Sequence, residues 1–172
     1  MQQRCVVTVP QKMADIDTRI LGDPGTPAFQ VRKYPFYLLN RLVGLYNKVI
    51  EGELRAIGLE IPAWRVLMIL GEKDPSGTRD ISGAAMIPIS TMTRIIQRMA
   101  AAGLVTTAAS AADARVTLVS LTPLGQQRLA QARRATAPVY AQVIRGLDRD
   151  EFEKLLSLLE RLHDNLEGSN GA

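Results

Sequence analysis

The segment 88–103 constrains the fold more than any other part of the chain. Four of its apolar residues recur at three- and four-residue steps, the spacing of one helix face: Met92, Ile95, Ile96 and Met99. Ser90 is predicted to cap the helix start, because its hydroxyl can accept a hydrogen bond from a first-turn backbone N–H. Gly103 suits the left-handed residue that ends a helix. The segment therefore predicts an amphipathic helix with one buried face and one polar face.

A β-hairpin is predicted directly after this helix. Residues 104–108 and 116–121 are short runs rich in β-branched side chains, and the small, polar link 110–115 joins them. Before the helix, the breaker run 74–77 is followed by a short helix at about 79–86. The order of short helix, turn, polar-faced helix and hairpin is typical of a winged helix-turn-helix.

Four longer helices are predicted around this central region. They begin near Pro35, Pro62, Thr122-Pro123 and Asp148, and end near Gly58, residue 73, Leu147 and residue 167. The first has an apolar stripe so wide that we expect a partner subunit to share it. Pro138 should kink or break the third. Asp148 and Glu151 predict a capping box for the last, whose apolar stripe is Phe152, Leu155, Leu159, Leu162 and Leu166.

Composition excludes most kinds of catalytic and metal site. With 172 residues and few aromatics, the chain suits one mainly helical domain. Cys5 and His163 are its only cysteine and histidine, too few for a zinc site or a disulfide framework. No Gly-rich phosphate loop or nucleophile–base pair is found, so we expect neither an enzyme nor a cofactor. No apolar run is long enough for a membrane span or a signal peptide, and a cytoplasmic protein is expected.

Positive charge is concentrated in the middle of the chain. Residues 88–134 contain six arginines against the single acid Asp113: Arg94, Arg98, Arg115, Arg128, Arg133 and Arg134. Such a distribution indicates a phosphate-facing surface, although a solvated basic face would look the same.

In a helix-turn-helix the second helix enters the DNA major groove. The candidate DNA contacts on the polar face are Ser90, Thr91, Thr93, Arg94, Gln97 and Arg98. Arg can bind guanine bidentately, Gln can pair with adenine, and hydroxyls reach phosphates. The alternative for this helix alone is an ordinary amphipathic surface helix.

Two sequence motifs resemble the MarR family of transcriptional regulators. Residues 89–99 with Gly103-Leu104-Val105 are similar to that family's recognition helix and first wing strand. Asp113-Ala114-Arg115 followed by Leu121-Thr122-Pro123-Leu124-Gly125 resembles its wing signature, D-x-R and then L-T-x-x-G. With the flanking helices, the resemblance spans roughly residues 34–167.

The resemblance implies a fold that is mainly α with a small β-hairpin wing, in a homodimer. Its parts would be dimerisation helices at 34–60 and 123–167 and a DNA-binding lobe at 61–122. Residues 1–33, which show little periodicity, form an extension longer than is usual in the family, and we expect it to be partly disordered or dimer-associated. Asp113 would orient Arg115 into the minor groove, and the two-fold symmetry would match a pseudo-palindromic operator in double-stranded DNA.

Regulators of this kind often bind small aromatic acids, so the resemblance also implies an effector pocket. The candidate residues, from the first two helices, are Tyr37, Arg41, Tyr46, Trp64, Arg65 and Met68. Plain packing plus surface arginines is the alternative. Cys5 could instead make the protein a sensor of peroxide. His163 is expected to be a surface or interface residue, and the alternative is that it binds a ligand.

The function expected from the sequence is a repressor that a small aromatic carboxylate releases from its operator. The alternatives are constitutive DNA binding without an effector, and a helical module that binds other proteins. Salt-insensitive binding would mark the last of these.

Overall fold

The computed structural model describes residues 17–169, which fall into two compact units divided between Lys48 and Val49. The first unit holds α1 (Thr18–Gly22), a 3-10 turn (Val31–Lys33) and the first part of α2 (Pro35–Ala56). Gly22 is buried, and a Cβ there would lie 2.7 Å from the carbonyl oxygen of Lys33. Tyr34 packs edge-to-face against Phe29 and Phe36. The described part of the predicted extension, from residue 17, is therefore ordered locally.

The second unit holds the end of α2 and a helical lobe with a small sheet. Its other elements are α3 (Ile61–Leu70), β1 (Ser76–Gly77), α4 (Thr78–Ala85), α5 (Ile89–Ala101), β2 (Val105–Ala109), β3 (Thr117–Leu121), α6 (Pro123–Val143) and α7 (Arg149–Ser169). Apolar residues of α3, α4, α5 and α6 form the core with Ile50 and Leu54 of α2 and with Val105 and Val119 of the sheet. The predicted fold class is confirmed.

Helix α5 buries the apolar face that its sequence predicts. Met92, Ile95, Ile96 and Met99 are all at most 4% exposed. Gly103 follows the helix with a φ of +71°, as expected. The predicted cap was wrong: α5 begins at Ile89, Pro88 is its N-cap and Ser90 lies inside the first turn. Since the extended backbone of Pro88 already starts the helix, the Ser90 hydroxyl stays exposed.

The sheet has three antiparallel strands in the order β1-β3-β2, one more than predicted. The hairpin pairs Val105 with Leu121 and Ala109 with Thr117, within one residue of the expected bounds. The added strand β1 pairs Ser76 with Val119.

The base of the hairpin is fixed to the start of α6 by close backbone contacts. The Thr122 hydroxyl caps α6 by accepting a hydrogen bond from the Gly125 N–H (3.0 Å), at the helix start that Thr122-Pro123 predicts. The same hydroxyl donates to the carbonyl oxygen of Gly103 (2.6 Å). Gly125 is buried so tightly that a Cβ there would lie 2.0 Å from the carbonyl oxygen of Leu104. The L-T-x-x-G motif is thus the joint between wing and helix.

The bounds of two helices differ from the prediction. Helix α6 runs through Pro138 without the predicted break, whereas a kink there stays a prediction, and it ends at Val143 rather than near Leu147. Pro138 has no N–H to donate to the Arg134 carbonyl, and both residues lie on the exposed side of the helix. Helix α3 ends at Leu70, three residues early, because residues 71–72 form a turn.

Helix α7 is capped as predicted but carries an exposed apolar row. The Asp148 N–H donates to Glu151 Oε2 (3.1 Å), and the Glu151 N–H donates to Asp148 Oδ1 (2.8 Å). No residue among 149–168 is buried in the single chain. Its exposed leucines include Leu155, Leu159, Leu162 and Leu166, between 38% and 60% exposed. Much of the wide stripe of α2 is exposed as well: Leu38, Leu42, Val43, Leu45 and Val49.

Candidate nucleic-acid interface

A concavity of about 830 Å³ lies between α5, the start of α4 and the wing. From α5 it is lined by Ile89, Thr93, Ile96 and Gln97, from the wing by Thr107, Asp113, Arg115, Val116 and Thr117, and from the start of α4 by Gly77, Thr78, Arg79 and Asp80. The predicted recognition helix and the predicted wing therefore share one surface.

The exposed face of α5 is centred on Ser90, Arg94 and Gln97. These positions are three or four residues apart and share one side of a helix, opposite the buried stripe. Within residues 17–169 their side chains have no hydrogen-bond or ion-pair partner. Arg and Gln side chains with unused donors on an exposed helix face are suited to base edges and phosphates.

The remaining α5 candidates lie at the edges of this face. The Thr93 hydroxyl donates to the carbonyl oxygen of Ile89 (2.8 Å), which leaves it only as an acceptor for an outside group. Arg98 lies away from the wing, with its Nη2 3.6 Å from Glu60 Oε2 of the α2–α3 loop. Thr91 is exposed on the Arg98 side of the helix.

In the wing, Asp113 holds Arg115 at two points, as the resemblance implies. Arg115 Nε donates to Asp113 Oδ1 (3.0 Å) and Nη2 donates to Oδ2 (3.1 Å). The Arg115 backbone N–H also donates to Oδ1 (3.0 Å). These bonds, the side-chain ones first, hold the pKa of the Asp113 carboxyl below its ordinary value. The Arg115 side chain is 91% exposed, so it projects from the wing while its orientation is fixed.

Sequence reasoning missed the contribution of α4 to this surface. Thr78 and Arg79 begin that helix and line the concavity, and the Arg79 side chain is exposed. The signal was available, because the first helix of a helix-turn-helix crosses the DNA backbone and its first turn is a natural phosphate contact.

The arginines between residues 88 and 134 do not all face this surface. Arg128 Nη2 donates to the carbonyl oxygen of Gly58 after α2 (3.1 Å), and Arg133 Nη2 donates to that of Gly71 after α3 (3.4 Å). Both guanidinium groups satisfy carbonyl groups that the helix ends leave unpaired. The prediction of one phosphate-facing surface from this whole stretch was thus too broad, since these two arginines have structural partners.

Of the predicted effector residues, Tyr37, Arg41 and Tyr46 belong to α2 in the first unit. Arg41 Nη1 donates to the Tyr37 hydroxyl (3.2 Å), and the guanidinium lies 5.6 Å from the centre of the Tyr37 ring. Tyr37 and Arg41, four residues apart, therefore share one face of α2. Tyr46 is half-buried.

Trp64, Arg65 and Met68 belong to α3 in the second unit and are half-buried. The indole Nε1 of Trp64 is buried without a hydrogen-bond partner in the part of the chain that the structure describes. Arg65 Nη1 donates to the carbonyl oxygen of Ala85 (3.3 Å), which connects α3 to the end of α4. That the six residues line one pocket stays a prediction.

Of the two isolated candidates, only His163 lies in the part of the chain that the structure describes. Cys5 lies outside the described residues. His163 is exposed, with its ring nitrogens 3.6 Å from Asp164 and Glu167. Within residues 17–169, no three His, Cys, Asp or Glu side chains are placed to hold a metal ion, and no helix is long and apolar enough to span a membrane.

The concavity and the elements around it define a winged helix-turn-helix protein of the DNA-binding class. The family model for the MarR family matches residues 59–117. The HTH-type transcriptional repressor IacR of Pseudomonas putida is 38% identical over 145 residues, which cover 84% of this chain and 87% of IacR.

Solved structures agree with this assignment. A MarR-family regulator from Silicibacter pomeroyi is 27% identical, with a TM-score of 0.73, over 79% of this chain and 92% of that one. Bordetella bronchiseptica BpsR, solved in relation to the regulation of its DNA binding by 6-hydroxynicotinic acid, shares the fold at 23% identity, with a TM-score of 0.66 over 74% and 97% of the two chains. This chain belongs to the MarR family. It is a DNA-binding transcriptional repressor of that family and not an enzyme.

Proposed function

We propose that the protein acts as a homodimer that binds a pseudo-palindromic operator and that a small aromatic carboxylate releases it. The observation that carries the DNA-binding part is the concavity in which Gln97 of α5 faces the same space as the Arg115 side chain that Asp113 orients. A helix for the major groove and a pre-oriented arginine for the minor groove are the two elements that sequence readout by a winged helix requires.

The exposed apolar row of α7 supports the dimer. In the single chain Leu155, Leu159 and Leu162 are each about two-fifths exposed on one side of a 21-residue helix. Such a row is suited to packing against the same helix of a second copy around a two-fold axis. The two recognition helices would then meet half-sites about 34–36 Å apart.

The buried indole N–H of Trp64 supports the effector. A buried donor without an acceptor costs about 1–3 kcal/mol, and a ligand carboxylate would supply the acceptor. Because Arg65 of the same helix holds the carbonyl of Ala85 at the end of α4, a ligand at α3 would act on the helix-turn-helix directly. BpsR, whose DNA binding is regulated by an aromatic acid, offers a precedent on this fold.

The DNA-binding part is tested by selection from a pool of random-sequence duplexes at two salt concentrations. We expect a pseudo-palindrome to be enriched and its affinity to fall steeply as salt rises. Arg94→Gln should weaken the affinity by tenfold or more and lower the slope of log affinity against log salt by about two, because each protomer of the dimer loses one charge.

Arg134→Gln is the matched control, because it removes the same charge from an exposed side of α6 that does not line the concavity. Equal losses from both variants would contradict recognition by α5. Binding that does not respond to salt, with no enriched sequence, would instead favour the module that binds proteins.

The dimer and the effector have separate tests. Leu159→Asp should convert the protein from dimer to monomer in light scattering.

For the effector, benzoate, 4-hydroxybenzoate and 6-hydroxynicotinate are added to a thermal melt and to the operator titration, with benzamide as the uncharged control. We expect a carboxylate to raise the Tm of the protein and to weaken operator binding. Trp64→Phe should lower the affinity for that carboxylate about tenfold. No response to any carboxylate would favour constitutive DNA binding. The cytoplasmic location expected from the sequence stays a prediction.

A further inference from the structure

Besides Val116 of the wing, two exposed apolar side chains of the second unit belong neither to the core nor to the predicted dimer helices. Most large exposed apolar residues of this unit lie on α6, on α7 and in the link between them, and these suit a subunit interface. Met86 and Ile89, 85% and 48% exposed, lie instead at the turn between α4 and α5. Neither core packing nor the predicted dimer interface explains why apolar side chains are exposed near the N-terminus of α5.

Met86 occupies a backbone position that would suit glycine better. It ends α4 with φ 53° and ψ 43°, the left-handed conformation, and its N–H donates to the carbonyl oxygen of Gly83 (3.0 Å). Glycine adopts this conformation without a steric cost, whereas a residue with a Cβ is strained in it. Since its side chain is 85% exposed, packing does not explain why methionine stands here. Strain of this kind is concentrated at functional sites.

Ile89 is the first residue of α5 and lines the concavity beside Thr93 and Gln97. The N-terminal residues of a recognition helix are the ones that face base edges. In the major groove the four bases present hydrogen-bond donors and acceptors, and the C5-methyl group of thymine is the apolar feature among them. An aliphatic side chain at this position has the chemistry to recognise that methyl group.

We propose that Met86 and Ile89 read thymine C5-methyl groups at the edge of each operator half-site. The inference rests on the proposed operator binding and specifies which bases of the operator the protein would distinguish. Ile89 would cover a methyl group from inside the concavity, whereas Met86, which does not line the concavity, would reach one from the turn three residues earlier. The strained backbone at Met86 is then kept because glycine there would relax the turn but lose the contact.

The test uses the full-length protein and the duplex recovered by the selection described above. Each thymine of a half-site is replaced in turn by deoxyuridine, which removes only the C5-methyl group. We expect at least one replacement to weaken the wild type about fourfold, and the same replacement in both half-sites to weaken it about 15-fold.

Three variants assign the contact. Met86→Ala and Ile89→Ala should each bind the thymine duplex more weakly and lose the sensitivity to uracil. Met86→Gly should do the same while melting no lower than the wild type, which separates the contact from folding. Leu124→Ala is the matched control, since it shortens an aliphatic residue that is 46% exposed at the start of α6, outside the concavity. It should keep the sensitivity.

The outcomes separate this inference from the function on which it rests. An enriched operator whose affinity is unchanged by every uracil replacement would overturn the methyl readout and leave operator binding intact. Sensitivity that persists in both alanine variants would also overturn it. Failure to enrich any sequence would remove the proposed operator binding and this inference with it.

Discussion

Replacing Gly125 with alanine should destabilise the protein more than any other single-methyl change at a glycine of the lobe's helices. The added Cβ would lie 2.0 Å from the Leu104 carbonyl oxygen and 3.2 Å from Cδ2 of Leu121. An ordinary carbon–oxygen contact needs more than 3 Å, so the first turn of α6 would have to move away from β2 by about 1 Å. Thr122 resists this movement because it bonds Gly103 and Gly125 at once.

The expected cost lies at the upper end of the range for overpacking, about 3 kcal/mol, because both sides of the contact are backbone. For a chain of this size that corresponds to a fall in Tm of about 6–12 °C. The assay is thermal unfolding followed by circular dichroism, with all variants at one protomer concentration because a dimer's Tm depends on it.

Gly83→Ala is the matched control. A Cβ on Gly83 would have no atom within 4 Å, and the residue lies inside α4, where alanine is favoured over glycine by about 0.5–1 kcal/mol. Its Tm should rise slightly. A Gly125→Ala protein that melts within 2 °C of the wild type would refute the reasoning, because it would mean that wing and helix are free to separate at this joint.

Two further predictions concern the wing and its base. Thr122→Ala should lower the free energy of unfolding by about 1–2 kcal/mol in denaturant titrations, because the Thr122 hydroxyl caps α6. Thr122→Ser keeps the hydroxyl and should lose little of this stability. Equal losses in both variants would contradict the capping role. The pKa of Asp113, measured by NMR of its carboxyl carbon, should lie below 3.8 and return towards it in Arg115→Gln. Because the folded-state pKa is the lower one, the pair's stabilisation is complete above the unfolded-state pKa and is lost as the pH falls through the folded-state value. An unchanged Asp113 pKa in Arg115→Gln would mean that Arg115 does not hold the carboxylate in solution.

Local signals in the sequence were sufficient for most of the fold. The four-residue apolar spacing of α5, the Thr122-Pro123 start of α6 and the Asp148–Glu151 box each act within one or two helical turns, and each is present as predicted. These features depend on near neighbours in the chain, so the sequence states them directly.

What could not be predicted depends on residues far apart in the chain. The two-residue strand β1 exists because Ser76 pairs with Val119, and nothing in its own sequence marks it as a strand. In the candidate site, Arg128 and Arg133 looked like phosphate contacts until the structure showed their bonds to the carbonyls of Gly58 and Gly71. Counting charges along a sequence cannot tell an arginine that meets a helix end from one that faces outward.

The two-point bond between Asp113 and Arg115 has a consequence for how the protein approaches DNA. The pair carries no net charge, so within the screening length, about 10 Å in 0.1 M salt, its attraction for DNA falls off faster with distance than that of an unpaired arginine. Long-range attraction therefore falls to unpaired cations such as Arg94 and Arg79, which have no acidic partner in the described chain. Under the proposed function, the cations of the helices would attract the DNA first. Arg115, whose direction Asp113 already fixes, would enter the minor groove only once the two molecules are in contact.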